Sequence, residues 1–132
     1  MHVVAGLIFN PERDKVLIAK RPMASHQGGL WEFPGGKVVP GEEAYQALCR
    51  ELVEELDIVV TSASALFSED YDYPDKKIRL DIWKVEGFTG AARGNEGQDV
   101  SWVALDRLDT YSFPAANRSI LAWIRSAKTK LL

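Results

Sequence analysis

Apolar residues near the amino terminus form two short runs separated by polar residues. The runs extend from His2 to Phe9 and from Lys15 to Arg21, and Pro11 and Asp14 lie in the polar stretch between them. Runs of this length that are rich in Val, Ile and Leu are typical of buried strands. We therefore predict two strands here, joined by a turn.

Three later apolar segments also predict strands. They are Val59 to Glu69, Ile78 to Val85 and Val100 to Leu105, and the second alternates apolar and polar residues as a half-buried strand does. The polar residues Asp70 to Lys77 predict a turn that makes the first two strands a hairpin, and this hairpin would form one wall of a pocket. Gly87 to Gly97 is expected to be a flexible loop.

The segment Ala44 to Leu56 has helical periodicity instead. At about 3.6 residues per turn, its large apolar residues fall on one face, and Glu51, Glu54 and Glu55 gather on a neighbouring face. A second amphipathic helix is expected near the carboxyl terminus, with Asn117 as an acceptable N-cap residue. The chain thus combines strands with two main helices.

The composition limits the classes of function. The 132 residues are 46% hydrophobic and 27% charged, with a net charge of −3. These values predict one domain spanning residues 1–132 and give no basic surface for a nucleic acid polymer. The single cysteine, Cys49, suits a reducing compartment, and the run Val3 to Phe9 is too short to cross a bilayer. We expect a cytoplasmic monomer that binds neither nucleic acid polymers nor membranes.

The carboxylates of the first helix admit two interpretations. An acidic face on an amphipathic helix is commonly just exposed to water. Glu51 and Glu55, however, are four residues apart, and like charges at that spacing repel each other unless a cation lies between them. Hard divalent ions such as Mg²⁺ take carboxylate and phosphate oxygens as ligands. The helix alone therefore leaves both interpretations open.

The spacing around this helix resembles the signature of the Nudix hydrolases. Gly36 is followed after five residues by Glu42, and after seven more by the run Arg50-Glu51-Leu52-Val53-Glu54-Glu55-Leu56-Asp57-Ile58. The departure is Asp57, where the family has glycine, although Asp also enters the left-handed region at modest cost. The resemblance implies an α/β (α+β) fold, an α/β/α sandwich with a mixed, curved β-sheet between the two main helices.

The resemblance also implies a site for Mg²⁺, with Mn²⁺ as an alternative ion. The implied metal ligands are a backbone carbonyl of the glycine pair and four carboxylates, namely Gly35, Gly36, Glu51, Glu54, Glu55 and Glu96. Glu51, Glu54 and Glu96 would be catalytic, and Arg50, held by Glu42, would keep the carboxylates in place. A plain turn at the glycine pair and a solvated Glu96 are the alternatives.

Residues before the second helix narrow the resemblance to MutT-type Nudix hydrolases. The segment is Phe113-Pro114-Ala115-Ala116-Asn117, and in that group the asparagine reads the edge of oxidised guanine. An amide offers an acceptor and two donors, which match the O6 acceptor and N7–H donor of 8-oxoguanine. A simple helix cap is the alternative role for Asn117.

Other candidate substrate-binding residues lie earlier in the chain. Arg21 at a strand end and His26 in the following loop are candidates for phosphate binding. Arg21 could equally be a solvated surface residue, and a lone loop histidine such as His26 is more often a bystander. The same resemblance adds Phe33 and Lys37. Three hairpin residues could line a base site, although ordinary packing is the favoured interpretation: Tyr73, Ile78 and Leu80.

The reaction implied by the resemblance is the Mg²⁺-dependent hydrolysis of 8-oxo-dGTP, and more weakly of dGTP, to the nucleoside monophosphate and pyrophosphate. This would remove a mutagenic nucleotide from the pool. One alternative is a Nudix pyrophosphatase acting on CTP, other nucleotides or nucleoside diphosphate conjugates. Another is a Nudix-shaped module that binds nucleotides without cleaving them, which the retained Arg50, Glu51, Glu54 and Glu55 disfavour.

Overall fold

A computed structural model describes residues 1–21, 23 and 28–131 of the chain. Within them the strands are β1 (His2–Ile8), β2 (Lys15–Lys20), β3 (Trp31–Glu32), β4 (Gly35–Lys37), β5 (Val59–Tyr73), β6 (Lys76–Thr89) and β7 (Val100–Ala104). The helices are α1 (Ala44–Leu56) and α2 (Arg118–Leu131), and 3-10 turns cover Leu105–Thr110 and Ala115–Asn117. Among the described residues, none of the helices has the length and apolar content needed to cross a membrane.

The strands of the described chain are divided between two sheets. One has the order β4-β1-β6-β5 and is mixed, because β1 runs parallel to β6 and antiparallel to β4. The other has the order β3-β2-β7 and is antiparallel. The strands expected to form one mixed sheet therefore form two, because β2 pairs with β7 and meets the β1 segment only at a bridge between Phe9 and Val16.

The two faces of β1 pack against different helices. Val4 and Ile8 belong to a buried cluster with the apolar face of α1, whereas Leu7 belongs to a cluster that contains Ile120 and Ile124 of α2. Successive side chains of a strand point to opposite faces, so a strand buried on both sides reads as a continuous apolar run. The predicted α/β/α sandwich is confirmed by this packing.

The predicted bounds of α1 are confirmed, and both of its ends are capped. At the amino end, the backbone N–H of Glu43 donates to the side-chain oxygen of Gln46 at 2.9 Å. At the carboxyl end, Asp57 adopts the left-handed conformation with φ 58° and ψ 39°, and its N–H donates to the Val53 carbonyl at 3.0 Å. Asp57 thus adopts the left-handed conformation for which the signature has glycine, and the departure from the signature leaves the helix end intact.

The hairpin is longer than predicted. β5 continues to Tyr73 and β6 begins at Lys76, so only residues 74 and 75 form the turn that was expected to span Asp70 to Lys77. Backbone pairing satisfies N–H and C=O groups whatever the side chains are, and along β5 exposed Asp residues alternate with the half-buried Tyr71 and Tyr73. The polar residues that suggested a turn are the solvent face of a strand.

At the glycine pair the structure excludes the alternative of a plain turn, and the later glycine-rich segment differs from the predicted flexible loop. Gly35 and Gly36 begin β4 and do not form a turn, and a methyl group on Gly35 would lie 1.9 Å from the Val4 carbonyl oxygen. Only glycine permits such a close pairing with β1. The segment expected to be a flexible loop, Gly87 to Gly97, begins inside β6. Its later part, from Arg93 onward, and the following Gln98 are hydrogen-bonded to the end of α1.

Replacing Asp57 by Gly should stabilise the fold relative to replacing it by Ala. Both variants lose the carboxylate that lies 3.3 Å from Arg93, but only Ala keeps the strain of a side chain in the left-handed region. We expect the unfolding free energy of Asp57→Gly to exceed that of Asp57→Ala by about 1 kcal/mol in urea titrations. Equal stabilities would show that the helix end does not need this conformation.

Candidate functional site

A cavity of about 440 Å³ lies between β1, β4, the tip of the β5–β6 hairpin and the segment that precedes α2. Four residues predicted to bind substrate line it: Arg21, Phe33, Lys37 and Asn117. His26, the fifth, lies outside the described residues. The wall formed by the hairpin was also predicted, and it contributes Tyr73, Ile78 and Leu80 to the cavity.

The acidic face of α1 meets this cavity at β4. Gly35 and Gly36 both line the cavity, and a methyl group on Gly36 would lie 2.4 Å from the Glu51 carboxyl carbon. The backbone N–H of Gly35 donates to a carboxylate oxygen of Glu55 at 3.0 Å. The glycine pair therefore lets the carboxylates pack directly on the strand that borders the cavity.

Arg50 holds the acidic cluster together. Its Nε and Nη2 donate to the two carboxylate oxygens of Glu42 at 2.8 Å and 3.0 Å, a bidentate pair, and Nη2 also donates to the Lys37 carbonyl at 2.9 Å. Its Nη1 donates to Glu51 at 3.0 Å and to Glu54 at 3.4 Å. The fixed fork of a guanidinium suits this geometry, which a flexible lysine could not reproduce.

The carboxylates nearest the glycine pair are poorly solvated and repel one another. Burial raises the pKa of Glu55 to about 8, and the charges of Glu32, Glu51 and Glu96 add to the effect. Burial also raises the pKa of Glu51, although Arg50 opposes this. By contrast, the hydrogen bond from Arg50 lowers the pKa of Glu42. The cluster is thus a place where a cation would relieve an electrostatic penalty.

Glu96 is carried by a loop that is fastened to the end of α1. The backbone N–H of Asn95 and the side chain of Gln98 donate to the Glu55 carbonyl at 2.9 Å and 3.0 Å. The Asn95 side chain donates to the Glu54 carbonyl at 3.1 Å, and the Glu96 N–H donates to the Gln98 side chain at 2.9 Å. Glu96 itself is exposed, and its charge reaches both Glu51 and Glu55.

The donor set fits a hard divalent ion, since it consists of carboxylate and carbonyl oxygens. Among the described residues, no three His, Cys, Asp or Glu side chains already converge on one metal position. Glu51 and Glu54 are bonded to Arg50, and the Glu54 side chain is 52% exposed. Closure around an ion would therefore have to draw Glu54 and Glu96 toward Glu51 and the glycine pair.

Glu32 is a site residue that the sequence did not reveal. It lines the cavity, accepts a hydrogen bond from Nη1 of Arg21 at 2.6 Å, and has its pKa raised by burial. Glu32 of β3 pairs with Ala19 of β2. This pairing places Glu32 beside the end of β2, where Arg21 follows. Opposite charges eleven residues apart give no signal of this contact unless the strand pairing is known.

Phe33 and Asn117 occupy different environments around the cavity. Phe33 is buried and stacks on Phe113, with ring centroids 5.2 Å apart, so it belongs to the core as well as to the cavity wall. Asn117 lies in the 3-10 turn before α2, and its backbone N–H donates to Pro114 at 3.0 Å. Within the described chain its side-chain amide has no hydrogen-bond partner, so the amide is available to a ligand.

Comparisons with known proteins agree with this geometry. The sequence profile of the NUDIX domain matches residues 4–123. The 8-oxo-dGTP diphosphatase of Escherichia coli (strain K12) is 36% identical over 125 residues, which are 95% of this chain and 96% of the relative. The CTP pyrophosphohydrolase of the same organism is 40% identical over 122 residues, covering 92% of this chain and 88% of the relative.

Solved structures give the same result. A structure from a study of MutT from Aliivibrio salmonicida and Vibrio cholerae is 42% identical, superposes with a TM-score of 0.82, and covers 93% of this chain and 94% of its own. These matches cover most of the chain, well beyond the helical signature. The chain therefore belongs to the NUDIX domain family and is similar to its MutT members.

Proposed function

We propose that this protein hydrolyses 8-oxo-dGTP, and more weakly dGTP, to the nucleoside monophosphate and pyrophosphate, using a divalent metal ion. One observation carries the proposal: the carboxylates of α1 contact Gly35 and Gly36, and this glycine pair lines the same cavity as Asn117, whose side-chain amide has no hydrogen-bond partner in the described chain. A triphosphate chain at the glycine pair would leave the base within reach of Asn117.

Basic side chains at two places on the cavity wall would bind the phosphates. Lys37 lines the cavity beside the glycine pair, and Arg21 lines it from the end of β2, so both can offset phosphate charge. Glu32 holds Arg21 in this position through its 2.6 Å hydrogen bond. Arg50 holds Glu51, which lies against Gly36 of β4, and also contacts Glu54, so it limits the positions that these two carboxylates can take before the reaction.

Mg²⁺, or Mn²⁺ in its place, would be held by a carbonyl of Gly35 or Gly36 with Glu51, Glu54, Glu55 and Glu96. When bound, such an ion supplies neutralisation of phosphate charge and activation of the attacking water. Glu51, Glu54 or Glu96 would accept the proton of that water, since each is a carboxylate at the edge of the cluster. Of these ligands, Arg50 contacts Glu51 and Glu54 and would limit their motion.

Base selection would rest on Asn117. An amide can donate to O6 and accept from N7–H of 8-oxoguanine, whereas unmodified guanine presents N7 as an acceptor. The wrong base would leave buried polar groups unpaired, which costs about 1–3 kcal/mol for each group. Tyr73 and Ile78 line the same cavity and would pack against the base.

The relatives support this assignment and also one alternative. Several relatives are named 8-oxo-dGTP diphosphatase, including those of Proteus vulgaris and Haemophilus influenzae. The relative named CTP pyrophosphohydrolase is 40% identical, so a pyrophosphatase acting on CTP is the second candidate. The side-chain amide of Asn117, which has no partner in the described chain and lines the cavity, favours the first. We further propose that the protein acts in the cytoplasm, since the role requires access to the nucleotide pool. We also propose that it is a monomer.

The products test the reaction type. Incubation of the protein with 8-oxo-dGTP and Mg²⁺ should yield the monophosphate and pyrophosphate in equal amounts, measured by ion-exchange chromatography. Release of inorganic phosphate with the diphosphate would contradict the proposal, because it would place the cleaved bond between the outer two phosphates. A nucleotide that stays intact would point to a binding module.

Replacing Glu51 by Gln should abolish turnover while leaving the fold intact. The change keeps the shape of the side chain but removes a charge from the cluster, and we expect kcat to fall at least about 10³-fold. The rise in melting temperature on adding Mg²⁺ should also shrink, since less binding energy is linked to folding.

The matched control for this variant is Glu86→Gln. Glu86 is an exposed residue of β6 that accepts a hydrogen bond from the Ser64 hydroxyl at 2.7 Å. It should behave as the wild type in both measurements. Retained metal-dependent turnover in Glu51→Gln would remove Glu51 from the catalytic set.

Replacing Asn117 by Ala should reduce the preference for the oxidised base more than it reduces the rate on dGTP. We expect the ratio of kcat/KM for 8-oxo-dGTP to that for dGTP to fall about 10- to 100-fold, because the base edge loses its partner. Steady-state kinetics on both nucleotides measure this ratio. Equal losses on both would reduce Asn117 to a structural residue of the turn before α2.

A further inference from the structure

The hydroxyl of Tyr71 connects two walls of the cavity. Tyr71 is a residue of β5 that lines the cavity, and it lies opposite Ile78 of β6 in the hairpin. Its hydroxyl donates to a carboxylate oxygen of Glu69 at 2.7 Å and lies 3.0 Å from the hydroxyl of Ser119. Ser119 is in the first turn of α2, two residues after Asn117.

The direction of these hydrogen bonds follows from their chemistry. A tyrosine hydroxyl has one proton, and a carboxylate only accepts. Tyr71 therefore gives its proton to Glu69, and Ser119 donates to the Tyr71 oxygen. The result is a chain from Ser119 through Tyr71 to Glu69 that joins α2 to the hairpin at the level of the cavity.

From this chain of hydrogen bonds we infer that Tyr71 is a specificity-determining positioning residue. It fixes the turn that carries Asn117 at a set distance from the hairpin wall, where Tyr73 and Ile78 lie. The inference rests on the proposed function, because it assigns Tyr71 to base selection through Asn117. A base is recognised by hydrogen bonds whose geometry tolerates only a few tenths of an ångström. A turn that moves by more than this would therefore reduce the discrimination between two purines.

The hydroxyl contact adds a polar connection to the apolar packing between these walls, in which Leu80 of β6 and Ile120 of α2 belong to one core cluster. Within the described chain the Asn117 side chain has no hydrogen bond of its own, and the 3-10 turn is held at its start by the bond from Asn117 N–H to the Pro114 carbonyl. The phenyl ring of Tyr71 packs against the core cluster that includes Ile120. Removal of the hydroxyl alone would therefore keep the packing and release the connection.

The test compares Tyr71→Phe, Ser119→Ala and the double variant with the wild type. The ratio of kcat/KM for 8-oxo-dGTP to that for dGTP should fall about 3- to 10-fold in Tyr71→Phe, as expected for loss of one hydrogen bond. The loss should come mainly from a higher KM for 8-oxo-dGTP, with kcat little changed. Because the two hydroxyls act through each other, the double variant should lose no more than Tyr71→Phe alone.

Amide hydrogen exchange gives a second readout that needs no substrate. Exchange in residues 115–121 should accelerate in Tyr71→Phe and in Ser119→Ala. The matched control is Tyr111→Phe, which removes a tyrosine hydroxyl from a ring that packs edge-on to Trp31 and does not line the cavity. This control should match the wild type in both readouts.

The outcomes separate this inference from the proposed function. Losses of Tyr71→Phe and Ser119→Ala that multiply in the double variant, or exchange rates that Tyr71→Phe leaves unchanged, would overturn the inference. A wild-type protein with no preference for 8-oxo-dGTP would overturn the proposed function, and with it the role of Tyr71 in selection. A lower selectivity ratio in Tyr71→Phe together with faster exchange would support both.

Discussion

The site depends on the multiple hydrogen bonds of Arg50. Its guanidinium joins Glu42 just before α1, Glu51 and Glu54 on the helix, and the backbone of Lys37 in β4. Four groups with separate places in the chain are thereby fixed relative to one another. Without this positive charge the carboxylates would repel one another more strongly, and the charged forms of Glu51 and Glu55 are already destabilised by burial and by neighbouring carboxylates.

Close backbone approach connects this charge cluster to the cavity. At Gly35 and Gly36 there is no room for a side chain between β1, β4 and the carboxylates of α1, so the acidic helix lies against the strand that borders the cavity. At the carboxyl end of α1, the loop with Glu96 is bonded to the last carbonyls of the helix. The acidic helix, the loop with Glu96 and the cavity therefore form one structural unit, in which a shift of one element would move the others.

Local sequence patterns predicted the secondary-structure elements better than they predicted the contacts between those elements. The bounds of α1 and the left-handed Asp57 followed from helical periodicity and from the known tolerance of Asp. The turn expected at Asp70 to Lys77 was wrong, because cross-strand pairing outweighs local polarity. The contacts of Glu32 with Arg21, of Gln98 with Glu55 and of Tyr71 with Ser119 join segments far apart in the chain. No spacing rule in one sequence reveals such contacts.

The most direct test of this account is the steady-state comparison of 8-oxo-dGTP, dGTP and CTP as substrates of the wild-type protein, with Mg²⁺ and then with EDTA. We expect kcat/KM for 8-oxo-dGTP to be at least about 10-fold above the other two values. One unpaired polar group at the base edge lowers kcat/KM by about this factor or more. EDTA should abolish all three activities. Equal values for the three nucleotides, or a higher value for CTP, would contradict the assignment of the cavity to an oxidised purine. Turnover that survives EDTA would contradict the role of the Arg50-held carboxylates.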